Sequence, residues 1–331
     1  MFGYVVQRLF VMIPTLLVIS ALVFIIINLP PGDFATAMLQ ELESQGGSGA
    51  QKAAEIRALY GLDRPLIEQY FHWLGGMMVG DFGFSFEHEA PVTAVVGERM
   101  GLTLLINFIS ILFIYLVSFP IGVYSAVRQY SAGDYAFSFL GLVGYATPNF
   151  MLAIIMLYVL NEAFGISIGG LMDPVFRDQP MSWDKFVSIM QHSVVPVVVI
   201  GTAGTAAMIR RLRANLLDEL HKQYVVTAKA KGLPPGRALR KYPLRMALNP
   251  FIADIGNLLP DVVSSSVIVS VVLGLETVGP TLLRALETQD TYLAGSFLMF
   301  LALLTVIGML ISDLALAALD PRIRLGGKAV K

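Results

Sequence analysis

The sequence predicts an all-α integral membrane protein with six transmembrane helices, both termini cytoplasmic, an extracytoplasmic insertion after the first helix and a helix-bearing cytoplasmic loop between helices four and five. Three observations lead there. First, 56% of the 331 residues are hydrophobic, only 14% are charged, and the mean hydropathy is +0.69, which is more apolar surface than a soluble domain can hide. Second, the apolar residues are gathered into runs long enough to cross a bilayer, whose core of about 30 Å needs roughly 20 helical residues. Third, ten of the 23 Lys and Arg residues (Arg210, Arg211, Arg213, Lys222, Lys229, Lys231, Arg237, Arg240, Lys241 and Arg245) lie in one polar stretch, 210–249, beside only two acids, Asp218 and Glu219.

Taken in order, the first run, 9–29, carries no charged residue. It exceeds a signal-peptide core and ends in Asn28-Leu29-Pro30-Pro31-Gly32-Asp33, not a small-residue cleavage site, so it reads as a retained span. Residues 1–30 are thus the first transmembrane segment, and 31–101 an extracytoplasmic one. Between Pro30 and Gly101 stand ten acids against four bases, the wrong balance for a cytoplasmic loop. Within it, 45–49 reads as a flexible tip, 51–60 as a helix stopped by Gly61, and 66–74 as a short amphipathic helix. Trp73, with Tyr70 and Phe71, suits a membrane interface.

Residues 102–319 are expected to supply five more crossings. The run 102–127 contains Pro120 and Gly122, a kink signal, and 135–164 is interrupted at Thr147-Pro148. Next, 193–209 carries Pro196, with Gly201 and Gly204 permitting close helix approach. The runs 251–273 and 293–319 complete the set, and 320–331 is a cytoplasmic tail. With the N-terminus inside, 16 bases fall on the cytoplasmic side and seven outside, which fixes the orientation by the positive-inside rule.

Within 210–249, Leu212, Leu216, Leu217 and Leu220 keep helical spacing, so the fourth span continues beyond the membrane. A two-turn helix, 224–231, follows; Gly232 stops it, Leu233-Pro234-Pro235 prevents continuation, and Pro235 or Gly236 opens the next helix. The shape is that of a docking knob. Composition alone leaves equally open a basic, lipid-facing loop that only sets topology.

Thr227-Ala228-Lys229-Ala230-Lys231-Gly232 resembles the peptide-transporter form of the "EAA" loop in permease subunits of bacterial ABC importers. Other stretches resemble the B-type subunit of the dipeptide and oligopeptide permease family, in the family's order. They are Arg8-Leu9 with Ile13-Pro14-Thr15, residues 29–33 and 60–65, Gly80-Asp81-Phe82-Gly83 with Ser85-Phe86, Ala146-Thr147-Pro148, Ser312-Asp313-Leu314 and Leu319-Asp320-Pro321-Arg322-Ile323-Arg324. The resemblance covers essentially the whole chain. There are departures: Val226 stands where the loop's eponymous acid belongs, and Tyr242-Pro243-Leu244 and Asn249-Pro250 differ from the commoner versions.

The resemblance implies a bacterial inner-membrane permease subunit of a binding-protein-dependent importer. Tyr224, Thr227, Ala228, Lys229, Ala230, Lys231 and Gly232 would form a coupling helix seated on a separate ATPase. It also implies a second related permease, two ATPase subunits and an extracytoplasmic solute-binding protein, all working in a lipid bilayer; no nucleic-acid partner is expected. No G-x-x-x-x-G-K-[ST] occurs in the chain, so ATP and Mg belong to the partner ATPases and this chain binds no cofactor. Peptides are the first expectation for the solute, with nickel, opines and oligosaccharides as alternatives.

The fifth span points independently to a pathway. Asp254, Asn257, Asp261, Ser264 and Ser265 fall on one helical face, and ionisable groups within a membrane usually face a bundle interior or a watery cavity. Asn257, Asp261, Ser264 and Ser265 are therefore pathway candidates, while Asp254 suits the cytoplasmic interface, where Asp261 lies on the alternative reading. Asp313 suits a structural tie to Arg322 or another cation, and Gly274 to Pro280 a corner at the outer end of the span. A secondary transporter would need midplane ion sites and usually repeats, neither of which is evident. With no Cys, no metal-spaced His and no G-x-S-x-G, no catalytic constellation or metal site is expected.

Overall fold

A computed structural model of the chain describes residues 2–30, 32, 35–36, 57, 63–165, 169–176 and 179–319. The expected tip at 45–49, nearly all of the expected 51–60 helix and the tail at 320–331 lie outside the described residues. Twelve α-helices occur among those described: α1 (Phe2–Ile27), α2 (Leu66–Met78), α3 (Val92–Val127), α4 (Ala132–Ala146), α5 (Asn149–Phe164), α6 (Trp183–Leu220), α7 (Gln223–Ala230), α8 (Pro235–Lys241), α9 (Pro243–Ala253), α10 (Ile255–Leu273), α11 (Val278–Glu287) and α12 (Thr291–Leu319). Two-residue strands β1 (Phe84–Ser85) and β2 (Ala90–Pro91) pair antiparallel, Phe84 opposite Pro91.

Among the described residues, four helices are long and apolar enough to cross a membrane: Val5–Ile27, Val92–Val127, Trp183–Leu220 and Thr291–Ala318. Two bent pairs raise the number to six if each counts as one span: Ala132–Ala146 with Asn149–Ala163, bent by 104°, and Pro235–Ala253 with Leu258–Leu273, bent by 50°. The first bend falls at Thr147-Pro148. Thr147 caps α4 in an extended conformation and Pro148 opens α5, because the residue before a proline is pushed out of the helical region. Pro120, by contrast, lies inside a continuous 36-residue α3.

The chain divides into two compact units. The first comprises Met1–Arg8, Leu104–Leu275 and Ile307–Lys331, and its central element is α6, against which α4, α5, α9 and α10 all pack. Close approach follows from glycine: a methyl group on Gly201 would meet Phe113 at 2.6 Å, and one on Gly204 would meet Ile114 at 2.8 Å and Leu258 at 3.0 Å. Leu212 and Leu216 of α6 are fully buried, worth about 1.5–3 kcal/mol each in apolar burial.

The second unit comprises Leu9–Thr103 and Glu276–Val306. Its hairpin is tied down by Asp290, which is completely buried and accepts hydrogen bonds from Ser85 Oγ (2.7 Å), the Glu87 amide (3.2 Å) and the Leu293 amide (3.1 Å). Arg284 donates to Glu87 at 2.7 Å. The Gly80-Asp81-Phe82-Gly83 stretch gains a physical meaning here. Asp81 accepts from the Gly83 amide, Phe82 stacks on Phe300 at 5.1 Å, and Gly83 takes φ +79 where a side chain would strike Tyr292. One expectation is corrected in this unit. Trp73 does not present an open ring to a membrane interface: it is 4% exposed, packed on Phe24 and over Gly295, on the face of α2 that also carries Tyr70 and Met77.

Candidate coupling segment and translocation face

The basic segment is built from α6 outward. Leu212 and Leu216 are buried and Leu217 and Leu220 half-buried, so the apolar stripe holds the helix to its end. His221 closes α6, its ring Nδ1 2.7 Å from the Leu217 carbonyl, and Lys222 is extended before α7 begins. Helix α7 ends in a complete Schellman arrangement. Gly232 adopts φ +80, the Leu233 amide donates to Ala228 O (3.2 Å) and the Gly232 amide to Lys229 O (2.9 Å). Pro235 then supplies a first-turn residue without an orphan donor for α8.

The result is a two-turn knob with distinct faces. Val225 and Ala228 are buried at 1% and 7% exposure, while Tyr224, Val226, Thr227, Lys229, Ala230, Lys231 and Gly232 are exposed. The Tyr224 hydroxyl donates to the Glu219 carboxylate of α6. Partial shielding of the hydroxyl from water first, and then that bond, push its phenol up to about 12. Tyr224 also faces Tyr242, ring centroids 6.3 Å apart. Glu219 is therefore engaged within the chain. The return to the membrane is broken at Tyr242, with α8 on one side and α9 on the other.

The pathway candidates fall on α10, and the chain bends just before them, since Asp254 ends α9 and precedes α10. Asp261, Ser264 and Ser265 line one cavity of about 290 Å³ together with Tyr145, Arg211 and Asp254. Asn257 lies in the same helix. Ser265 accepts a 3.0 Å hydrogen bond from Asn149 of α5. Asp254 is not an exposed interfacial acid: it is 7% exposed and ion-paired with Arg211 of α6.

One tie here escaped sequence reasoning. Asp134, 2% exposed, accepts from Arg213 Nε (2.9 Å) and Nη2 (2.8 Å) and from the Tyr130 amide (2.9 Å). Its own amide donates to Ser131 Oγ. The Ser131-x-x-Asp134 spacing was a visible helix-start signal, but nothing local announced Arg213, 79 positions away, as partner. Asp313 does have a cationic partner, Arg8 at 3.0 Å. Among the described residues no group of three His, Cys, Asp or Glu could hold a metal ion.

These elements define a polytopic α-helical membrane protein in which a compact basic knob is hydrogen-bonded through Tyr224 to the end of α6, the helix that also helps wall a cavity carrying Arg211, Asp254, Asp261, Ser264 and Ser265 among apolar side chains. Comparison with known proteins gives the class its particular form: residues 118–325 match the family "Binding-protein-dependent transport system inner membrane component", and residues 1–107 match its N-terminal counterpart, "Binding-prot-dependent transport system membrane comp, N-term". The chain belongs to this family, the permease subunits of bacterial ABC importers, which are non-catalytic membrane components. It is 34% identical over 325 residues to the oligopeptide transport system permease protein AppB of Bacillus subtilis, covering 98% of this chain and 99% of the relative. It is 28% identical over 340 residues to the dipeptide transport system permease protein DppB of Escherichia coli K12, covering 98% and 99%. To the oligopeptide transport system permease protein OppB of Mycobacterium tuberculosis it is 32% identical over 270 residues, covering 80% and 82%.

Proposed function

We propose that this chain forms half of the translocation pathway of an ATP-driven peptide importer and is driven by a separate ATPase seated on α7. The observation that carries the coupling role is the exposed face of a knob that is capped at its end and tied at its base. Six spans are proposed, each bent pair counting as one. Residues 31–101 are assigned to the extracytoplasmic side, 210–249 to the coupling loop and both termini to the cytoplasm. The Arg8–Asp313 pair supports the last point, joining the start of α1 to the end of α12. Peptides are proposed as solute because the relatives compared above carry dipeptide and oligopeptide names.

The mechanism is alternating access. ATP, with Mg, bound by two partner ATPases closes them, and the knobs of this chain and a related permease are drawn together. Each knob can transmit the motion because Tyr224 is bonded to the end of α6, and α6 is bonded in turn to α4 through Arg213–Asp134 and to the start of α10 through Arg211–Asp254. Displacement of α7 therefore moves the wall carrying Asp261, Ser264 and Ser265, and the differential binding energy of the partners supplies the shift. A solute-binding protein would deliver solute from the extracytoplasmic side.

Reconstitution in proteoliposomes tests the assignment. Uptake should require the related permease, the ATPases and the binding protein together; uptake by this chain alone under an ion gradient contradicts it. For the pathway, single cysteines at Asp261, Ser264 and Ser265 should react with a water-soluble thiol reagent and be protected by transported peptide. Unreactive positions would remove α10 from the route.

A further inference from the structure

Helix α2 carries a surface that the importer reading leaves unused. At about 100° per residue, its side chains fall into three groups. Tyr70, Trp73 and Met77 form the inner face, of which Trp73 is buried and the other two half-buried. Glu68, Gln69 and His72 form a polar face. Ile67, Phe71, Leu74 and Met78 form a second apolar face, on which Ile67 is 64%, Phe71 63% and Met78 80% exposed. A helix in water against a protein core needs only the first of these apolar faces.

The height of α2 along α1 identifies the medium on its second apolar face. The Tyr70 hydroxyl lies 2.9 Å from Ser20 Oγ, and Phe24 contacts both Tyr70 and Trp73, at 5.5 and 5.7 Å between centroids. Ser20 precedes the end of α1 at Ile27 by seven positions, about 10 Å along the axis. Helix α2 thus sits beside the last turns of a membrane-crossing helix, not beyond its end. At the same level α1 exposes Leu22, Ile25 and Ile26, each more than half accessible. The apolar belt of α1 and the outer face of α2 occupy one depth.

We infer that α2 is an interfacial helix: Ile67, Phe71, Leu74 and Met78 are buried among phospholipid acyl chains of the leaflet reached by the C-terminal end of α1, while Glu68 and His72 remain in the headgroup region. A helix about 10–12 Å across lying at this boundary dips its apolar face some 5–10 Å into the bilayer, which accounts for a polar and an apolar face that are both exposed. The surface is neither a solute site nor a seat for the binding protein. It holds the hairpin-bearing segment against the membrane.

The chain contains no cysteine, so a spin label on a single introduced cysteine reports one position. F71C and M78C, with E68C and H72C for the polar face, are labelled in the complete transporter, its other subunits free of reactive thiols. The bilayers are of phosphatidylethanolamine and phosphatidylglycerol. Collisions with oxygen, which concentrates in lipid, are compared with collisions with a water-soluble nickel chelate. Labels at 71 and 78 should meet oxygen several-fold more often than nickel, with the preference reversed at 68 and 72. Ready access of nickel at 71 and 78 means a water-facing helix, and low access of both reagents means a face covered by another protein; either result overturns the inference. The two positions are independent, so failure of one variant to assemble leaves the other to decide.

Discussion

Asp134 is a carboxylate buried beside an apolar bundle with four hydrogen bonds to its oxygens, two of them from Arg213. Removing one member of such a pair strands the other charge, at a cost of about 3–5 kcal/mol, whereas removing both can be far less damaging. Thermal unfolding in detergent should therefore show Asp134→Ala and Arg213→Ala each strongly destabilised and the double variant closer to wild type than their sum. Additive losses would show that the pair is not coupled. Asp290 makes a different case. Burial raises its carboxyl above the ordinary value of 3.8 in spite of the donors from Ser85, Leu293, Glu87 and Phe86. The native state then holds the Asp290 proton more tightly than the unfolded chain, so its contribution to stability is full below the ordinary value and is lost as pH rises through the raised one. Melting temperatures taken upward from about pH 4 should fall more steeply for wild type than for Asp290→Asn. Identical slopes would contradict the raised value. Neither pairing was legible in the sequence, because Ser85–Asp290 and Asp134–Arg213 join residues far apart in the chain and a lone acid carries no mark of its partner.

At the scale of the element, helix α7 shows what local chemistry can specify. Gly232 takes φ +80 and a methyl group there would meet nothing within 4 Å, so its requirement is purely conformational. Alanine at 232 should cost roughly 1–3 kcal/mol of backbone strain and lower the number of solute molecules moved per ATP. Asparagine, which tolerates the left-handed region, should retain most of the coupling. Equal behaviour of the two variants in a coupled uptake and hydrolysis assay would show that the Schellman ending is dispensable. The end of this helix and the start of α8 at Pro235 were readable from single residues, as was the break at Thr147-Pro148. The length of α3 and the start of α6 at Trp183 were not, since hydropathy marks only the lipid-buried middle of a helix; the end of α6 at Leu220 was readable only because its leucines keep helical spacing. Inward orientation was equally hidden: Ala228 is buried, so a bulky residue there would displace the knob from its own chain, and Thr227 and Ala230 are the positions that probe a partner.

For the whole molecule, fold class was evident because twenty-residue apolar runs have few other uses, and the wall of the cavity was half evident. Asp261, Ser264 and Ser265 follow from one helical period, but Arg211 and Tyr145 reach the same cavity from α6 and α4 only through tertiary packing. In the proposed mechanism motion of α7 reaches this wall, and α7 is where ATP hydrolysis is converted into transport. The most direct measurement follows uptake and ATP hydrolysis together in proteoliposomes containing the chain, its related permease, the ATPases and the binding protein, with Ala230→Trp on the exposed face of the knob. Membrane insertion and the ATPases' basal hydrolysis should persist while uptake per ATP falls by at least about tenfold, a loss of roughly 1.4 kcal/mol in the coupling. Uptake per ATP equal to wild type would contradict the claim.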